Sequence, residues 1–91
     1  MPISALIADD EASARSRLRK LLAPHEFSLI DDAQDGLAAL EAIQKHRPQV
    51  VFLDIEMPGL NGFELVEALS PEVMPLIVFV TASHRCAKAA A

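Results

Sequence analysis

The sequence predicts an α/β fold in which helices wind on both faces of a parallel β-sheet. Short apolar runs alternate with segments of helical spacing, and runs without polar residues are typical of strands covered on both faces. This alternation implies right-handed parallel crossovers, and hence a doubly wound sheet. Two apolar runs also end on carboxylates, at Asp9-Asp10 and at Asp54. Ligands of such sheets bind outside the carboxyl ends of the strands, so these acids are candidates for chemistry.

The first half of the chain predicts two strand–helix pairs. A strand at Ile3 to Ala8 precedes a helix from Ala12 to Ala23, whose apolar residues recur at helical spacing and which the next residue, a proline, ends. A weaker strand follows at Phe27 to Ala33. The second helix has Asp35 as its predicted N-cap, and Pro48 stops it.

The second half repeats the alternation. Val50 to Leu53 is the third predicted strand, and Pro-Gly and Asn-Gly pairs mark the turns after it. A helix is predicted from about Gly62 to Leu69, and a fourth apolar strand from Leu76 to Val80. The segment from Ser83 to Ala91 predicts a last, Ala-rich helix.

Composition limits the classes of function. A chain of 91 residues holds at most one domain, and 52% hydrophobic residues are enough for a core. The formal net charge of −5 argues against sequence-independent binding of nucleic acid or anionic lipid. We interpret the basic run Arg15 to Lys20 as a solvated helix face and Cys86 as a bystander thiol. Since no apolar stretch approaches the ~20 residues of a membrane span, we expect a cytoplasmic protein.

Candidate metal-binding and catalytic residues follow three of the predicted strands. Asp9, Asp10, Asp54 and Thr81 all follow strands, so they should share one edge of the sheet. Clustered carboxylates favour a hard divalent ion such as Mg2+, and with it one carboxylate could attack a phosphoryl donor while the Thr81 hydroxyl donates a hydrogen bond. Each residue taken alone is also typical of a helix cap or turn; the combination favours a functional site. Asp31-Asp32 also lies near a strand end, but without downstream support we interpret it as a solvated edge.

Three segments carry a family resemblance. They are Leu6 to Glu11 (LIADDE), Val51 to Gly62 (VFLDIEMPGLNG) and Val78 to Ala82 (VFVTA). In residue type, order and spacing they resemble the receiver domain of two-component response regulators, and the residues around Asp54 are similar to receivers that precede LytTR-type DNA-binding domains. The resemblance implies a flavodoxin-like fold with strand order 2-1-3-4-5, and the predicted strands match the first four.

The resemblance also implies roles for individual residues. Asp54 would be the phosphoacceptor, modified by a phosphohistidine of a sensor histidine kinase or by a small phosphodonor. Asp10 and Asp54 would bind Mg2+ by side chain, with Asp9 helping through water and Glu56 supplying its backbone carbonyl. Thr81 would be the switch hydroxyl.

The match ends before the fifth strand and fifth helix of a full receiver. We therefore expect residues 1–91 to be a receiver domain truncated at its C-terminus, with no catalytic Lys in this chain, since Lys88 falls inside the predicted last helix. The fourth strand would then be an apolar edge that seeks a partner, which predicts a homodimer or a domain-swapped assembly. A piece cut from a longer regulator, or a frameshift, explains the same ending.

Three functions remain open at this point. The first is a signalling module that accepts a phosphoryl group on Asp54, and it is not an enzyme beyond its own phosphorylation and dephosphorylation. The second is a phosphate-independent dimerisation or interaction module. The third is a phosphohydrolase of the haloacid-dehalogenase kind, although that family places Asp-x-Asp at the nucleophile, where this chain has Asp54-Ile55-Glu56. We expect no direct binding of nucleic acid or membrane in any of the three.

Overall fold

The computed structural model describes residues 2–80, and within them a single sheet of four parallel strands has the order β2-β1-β3-β4. The strands are β1 (Ile3–Ala8), β2 (Phe27–Ala33), β3 (Val50–Leu53) and β4 (Leu76–Phe79). The predicted α/β class and strand order 2-1-3-4 are confirmed.

The helices connect consecutive strands. Within residues 2–80 they are α1 (Ala12–Leu22), α2 (Gly36–His46) and α3 (Gly62–Ala68), followed by a short 3-10 turn at Pro71–Val73. The first and third helices end one residue earlier than predicted, because Ala23 and Leu69 are C-caps. Asp35 caps α2 as predicted: its carboxylate accepts a hydrogen bond of 2.7 Å from the backbone N–H of Ala38. The predicted last helix and Thr81 lie outside the described residues.

The main core lies between the sheet and the helices α2 and α3. Its largest fully buried members are Leu6, Ile43, Val51, Leu53 and Leu65. Because the chain moves from β1 to β2 in one direction and from β2 to β3 in the other, right-handed crossovers place α1 and α2 on opposite faces. This apolar packing fixes which residues stand at the carboxyl edge of the sheet.

The edge strand β4 keeps much of its apolar surface exposed. Leu76 is 68% exposed and Phe79 40% exposed, and Phe79 lies against Phe63 of α3 with the ring centres 5.1 Å apart. No helix within residues 2–80 has the length and apolar character needed to cross a membrane.

A close backbone approach joins the start of α2 to the segment that follows β3. A Cβ placed on Gly36 would lie 2.1 Å from the carbonyl oxygen of Leu60, well inside van der Waals contact. Glycine is therefore required at position 36 for packing. The contact matters for the site below, because Leu60 belongs to the loop that begins at Asp54.

We expect Gly36→Ala to lower the free energy of unfolding by about 2 kcal/mol, since the added methyl forces the Leu60 backbone outward. A loss of stability would itself support the close contact, because Gly→Ala inside a helix otherwise stabilises a protein by roughly 0.5–1 kcal/mol. Urea unfolding followed by far-UV circular dichroism measures the change, as the chain has no Trp or Tyr. Gln44→Ala, on the exposed face of α2, is the control and should stay within about 0.5 kcal/mol of wild type. A stabilised Gly36→Ala variant would contradict the tight contact.

Candidate functional site

The pairing of β1 with β3 positions the candidate site. Ala8 and Leu53 are register partners, so Asp9 and Asp54 follow their strands side by side. The backbone N–H of Asp54 donates to the Ala8 carbonyl oxygen at 2.9 Å, which carries the pairing one residue past the end of β3. On the other side, the N–H of Asp9 donates to the Ala33 carbonyl of β2 at 3.0 Å.

The structure brings three predicted acids together. One carboxylate oxygen from each of Asp9, Asp10 and Asp54 lies within 4.8 Å of the other two. Their surroundings differ, because Asp9 is 7% exposed, Asp54 is half-buried and Asp10 is exposed. We call these three residues the acidic cluster.

Burial and mutual repulsion raise the pKa of two members of the acidic cluster, Asp54 and Asp9. Burial, followed by the charge of Asp9, raises the pKa of Asp54 from 3.8 to about 6, against a smaller opposing effect of the Glu56 backbone N–H. Burial also raises the pKa of Asp9, to which Asp10 contributes by its charge. Both causes disfavour the charged carboxylates, and a bound cation would oppose both.

The donor set of the acidic cluster fits Mg2+. Carboxylate oxygens are ligands that this hard ion prefers, and it is commonly bound through one or two carboxylates together with water. An exposed Asp10 beside a buried Asp9 leaves one side of the cluster open to solvent and to a ligand.

The loop after Asp54 is anchored at both ends. Asp54 Oδ1 accepts a long hydrogen bond of 3.4 Å from the Glu56 N–H, and the Gly62 N–H donates to the Ile55 carbonyl at 2.8 Å. Asn61, predicted only as part of a turn, caps α3 through a reciprocal capping box with Glu64. The Asn-x-x-Glu spacing in the sequence is the pattern that indicates such a box.

Arg15 is a site residue that the sequence analysis missed. Its side chain is only 17% exposed, and its Nη1 donates to the backbone carbonyl of Asp9 at 2.7 Å. Its Nε lies 3.6 Å from Asp32 Oδ2, and Arg19 binds the same carboxylate. The interpretation of the basic run as a solvated face is therefore wrong for Arg15, and Asp32 is an ion-pair partner rather than a solvated edge. The parallel pairing of β1 with β2 explains these contacts. It places Asp32, near the end of β2, close to Asp9, which follows β1, and Arg15 of α1 contacts both.

Two further residues, Glu56 and Thr81, were predicted to belong to the site. Glu56 is exposed and its N–H contacts Asp54, while the role of its carbonyl as a metal ligand stays a prediction. Thr81 follows Val80, whose N–H donates to the Leu53 carbonyl at 2.9 Å, but Thr81 itself lies outside the described residues.

Comparison with known proteins identifies the family. A family model described as the response regulator receiver domain matches residues 5–91. The chain belongs to the response regulator receiver family. An uncharacterized response regulatory protein of Yersinia pestis is 48% identical over 81 residues, which are 88% of this chain and 34% of that protein. The receiver domain thus spans about a third of the length of the curated relatives it matches.

Solved structures agree with this assignment. The receiver domain of AraT from Geobacillus stearothermophilus superimposes with a TM-score of 0.84 at 29% identity, covering 99% of this chain and 72% of that one. CheY in a CheX–CheY–BeF3–Mg2+ complex from Borrelia burgdorferi gives 0.82 at 25% identity, covering 97% and 69%. The resemblance inferred from the sequence is confirmed at the level of the family, while the LytTR subtype and the truncation stay predictions.

The raised pKa of Asp54 predicts how the stability of the receiver depends on pH. Between the ordinary value of 3.8 and about 6, the folded state binds more protons than the unfolded state, so this group's contribution to the free energy of unfolding falls as pH rises through that window. Without divalent cations, Asp54→Asn should therefore stabilise the domain at about pH 7.5, with the gain shrinking toward about pH 4.

Urea unfolding at both pH values, in the presence of a chelator, measures this gain. Asp31→Asn makes the same replacement at an exposed position of β2 and serves as the control. Saturating Mg2+ should reverse the order of stabilities, because it binds the folded wild type more tightly than the variant. An Asp54→Asn variant that is less stable than wild type in the chelator would contradict the repulsion in the acidic cluster.

Proposed function

We propose that this receiver is a Mg2+-dependent phosphoacceptor, in which Asp54 takes a phosphoryl group from a phosphohistidine of a sensor histidine kinase or from a small phosphodonor. The observation that carries the proposal is the convergence of the three carboxylates at the carboxyl edge of the sheet. A related CheY has been solved with BeF3 and Mg2+, which supports the same chemistry here.

Each acid has a distinct part in this proposal. Asp10 and Asp54 hold the ion by their side chains, Asp9 assists through water, and the Glu56 carbonyl completes the protein ligands. Bound Mg2+ supplies positive charge that opposes the repulsion between the carboxylates and the incoming phosphoryl group. The Thr81 hydroxyl donates a hydrogen bond to the transferred group.

The transfer itself is a displacement at phosphorus. A carboxylate oxygen of Asp54 forms the new P–O bond, the bond from phosphorus to the donor's nitrogen or oxygen breaks, and the donor leaves with that electron pair. The product is an acyl phosphate on Asp54. The half-buried position of this carboxylate leaves one side accessible to a donor.

Incubation with acetyl phosphate and Mg2+ tests the proposal. Intact-protein mass spectrometry should show the gain of one phosphoryl group on wild type, and Asp54→Asn should remove it. Asp31→Asn, the matched control on β2, should be phosphorylated like wild type.

Other outcomes separate the competing functions. Turnover of phosphate monoesters without a stable adduct would favour a phosphohydrolase. Neither adduct nor turnover would favour a phosphate-independent interaction module. An adduct that persists in Asp54→Asn would contradict the assignment of the acceptor.

We also propose that the chain self-associates through the β4 edge, where Leu76 and Val78 are exposed. Light scattering on the eluate of a size-exclusion column, at high micromolar concentration, should give a dimer mass. Val78→Lys should shift it to monomer, because a lysine on an edge strand opposes strand addition. Ser28→Lys, on the opposite edge strand β2, is the control and should leave the dimer intact. A strictly monomeric wild type would contradict this proposal.

A further inference from the structure

The side chain of Arg15 contacts the acidic cluster at the backbone of Asp9. Arg15 lies in the second turn of α1, and its Nη1 donates to the carbonyl oxygen of Asp9 at 2.7 Å. Of the ion pairs within residues 2–80, none joins this guanidinium to a carboxylate of the acidic cluster; its acidic partner is Asp32 at 3.6 Å. Arg15 therefore acts on the main chain of the cluster and leaves the carboxylates available.

The carbonyl that Arg15 holds belongs to the peptide between two members of the cluster. A peptide group is planar, so the direction of the Asp9 carbonyl also fixes the backbone nitrogen of Asp10 and the bond that leads to its Cα. The same Asp9 is held on its other side by its N–H, which donates to Ala33 at 3.0 Å. With both backbone groups of Asp9 bonded, the orientation of Asp10 relative to Asp54 depends on this peptide.

The guanidinium is itself held in place from two directions. Its Nε edge faces Asp32 of β2, which also binds Arg19 one turn further along α1. The helix fixes the base of the side chain through the hydrogen bond of 3.1 Å from the Arg15 N–H to the Glu11 carbonyl. A planar fork with donors on separate edges suits this bridging position, and an ammonium group does not offer the same geometry.

We propose that Arg15 is a positioning residue of the acidic cluster: it orients the peptide between Asp9 and Asp10 so that their carboxylates converge with Asp54 on one cation, and Asp32 holds the guanidinium for this task. The inference rests on the proposed function, in which the acidic cluster binds Mg2+.

Charge and positioning predict opposite effects when Arg15 is removed. If the guanidinium acted only by its charge, its loss would make the site more negative and the cation would bind more tightly. If it positions the Asp9–Asp10 peptide, its loss lets the peptide reorient and the cation binds more weakly. Replacement of groups that orient metal ligands typically costs 10–100-fold in affinity.

Direct titration with Mn2+, a spectroscopic substitute for Mg2+, decides between these effects. The electron paramagnetic resonance signal of free Mn2+ gives the dissociation constant and the number of sites without any phosphorylation. We expect about tenfold weaker binding for Arg15→Met and the same number of sites at saturation. Arg15→Lys keeps the charge but replaces the planar fork by a single ammonium group, and its affinity should lie between that of wild type and that of Arg15→Met. Lys20→Met removes an exposed charge from the same helix and is the control for net charge.

The outcomes separate the inference from the proposed function. Wild-type protein that binds no Mn2+ would overturn both. Normal wild-type binding with equal or tighter binding by Arg15→Met would overturn only the role of Arg15. A purely structural role would lower the number of sites by unfolding a fraction of the sample and leave the dissociation constant of the remainder unchanged. Should Arg15→Met fail to fold, Arg15→Lys decides: weaker binding at unchanged net charge supports the inference, and wild-type affinity overturns it.

Discussion

The register between β1 and β3 is the constraint on which the site depends. Ala8 pairs with Leu53, and the Asp54 N–H extends the ladder by donating to Ala8 at 2.9 Å. Side chains alternate along a strand, so a slip of one residue would turn every side chain of β3 to the opposite face and separate Asp54 from Asp9. Leu6, Ala8 and Leu53, all at most 1% exposed, oppose that slip because it would turn Leu53 away from the cluster in which the three pack together. The apolar core therefore determines the electrostatics of the carboxyl edge.

That electrostatic arrangement works against folding. Two unit charges about 4–5 Å apart repel by about 3–4 kcal/mol at an effective dielectric constant of ~20, and the whole domain has only about 5–15 kcal/mol of stability. The same burial and repulsion raise the pKa of Asp54 to about 6, because they favour the protonated carboxyl over the charged one. Any cation that binds the acidic cluster in the folded state alone shifts the folding equilibrium toward that state. Binding of a cation at the acidic cluster would therefore stabilise the fold, and without it the apolar core must outweigh the repulsion between the carboxylates.

The sequence predicts the parts of this arrangement that depend on local pattern. Apolar runs, unbroken only in β3 and β4, predicted the strands, and a carboxylate directly after a parallel strand indicated its place at the edge. The contact of Arg15 with Asp9 could not be predicted in this way. Four basic residues lie on this short helix, and which of them faces the sheet depends on the rotation of the helix. The approach of Gly36 to Leu60 depends on the packing of two distant segments and left no local pattern either. The capping box at Asn61, in contrast, follows a spacing that is visible in the sequence.

Three aspartates of identical chemistry differ here only in what surrounds them. Asp9 is buried, its Oδ1 accepts a hydrogen bond of 2.9 Å from the Glu11 N–H, and both its backbone groups are bonded, so its position is fixed. Asp54 is half-buried, and its Oδ1 accepts a longer bond of 3.4 Å from the Glu56 N–H. Hydrogen bonds to a carboxylate stabilise its charge and lower its basicity, and the backbone N–H groups of Glu56 and Ile55 have this effect on Asp54, although burial outweighs it. Environment alone can assign different roles to equal groups. The greater exposure of Asp54 makes it better placed than the buried Asp9 to accept a phosphoryl group in the function we propose.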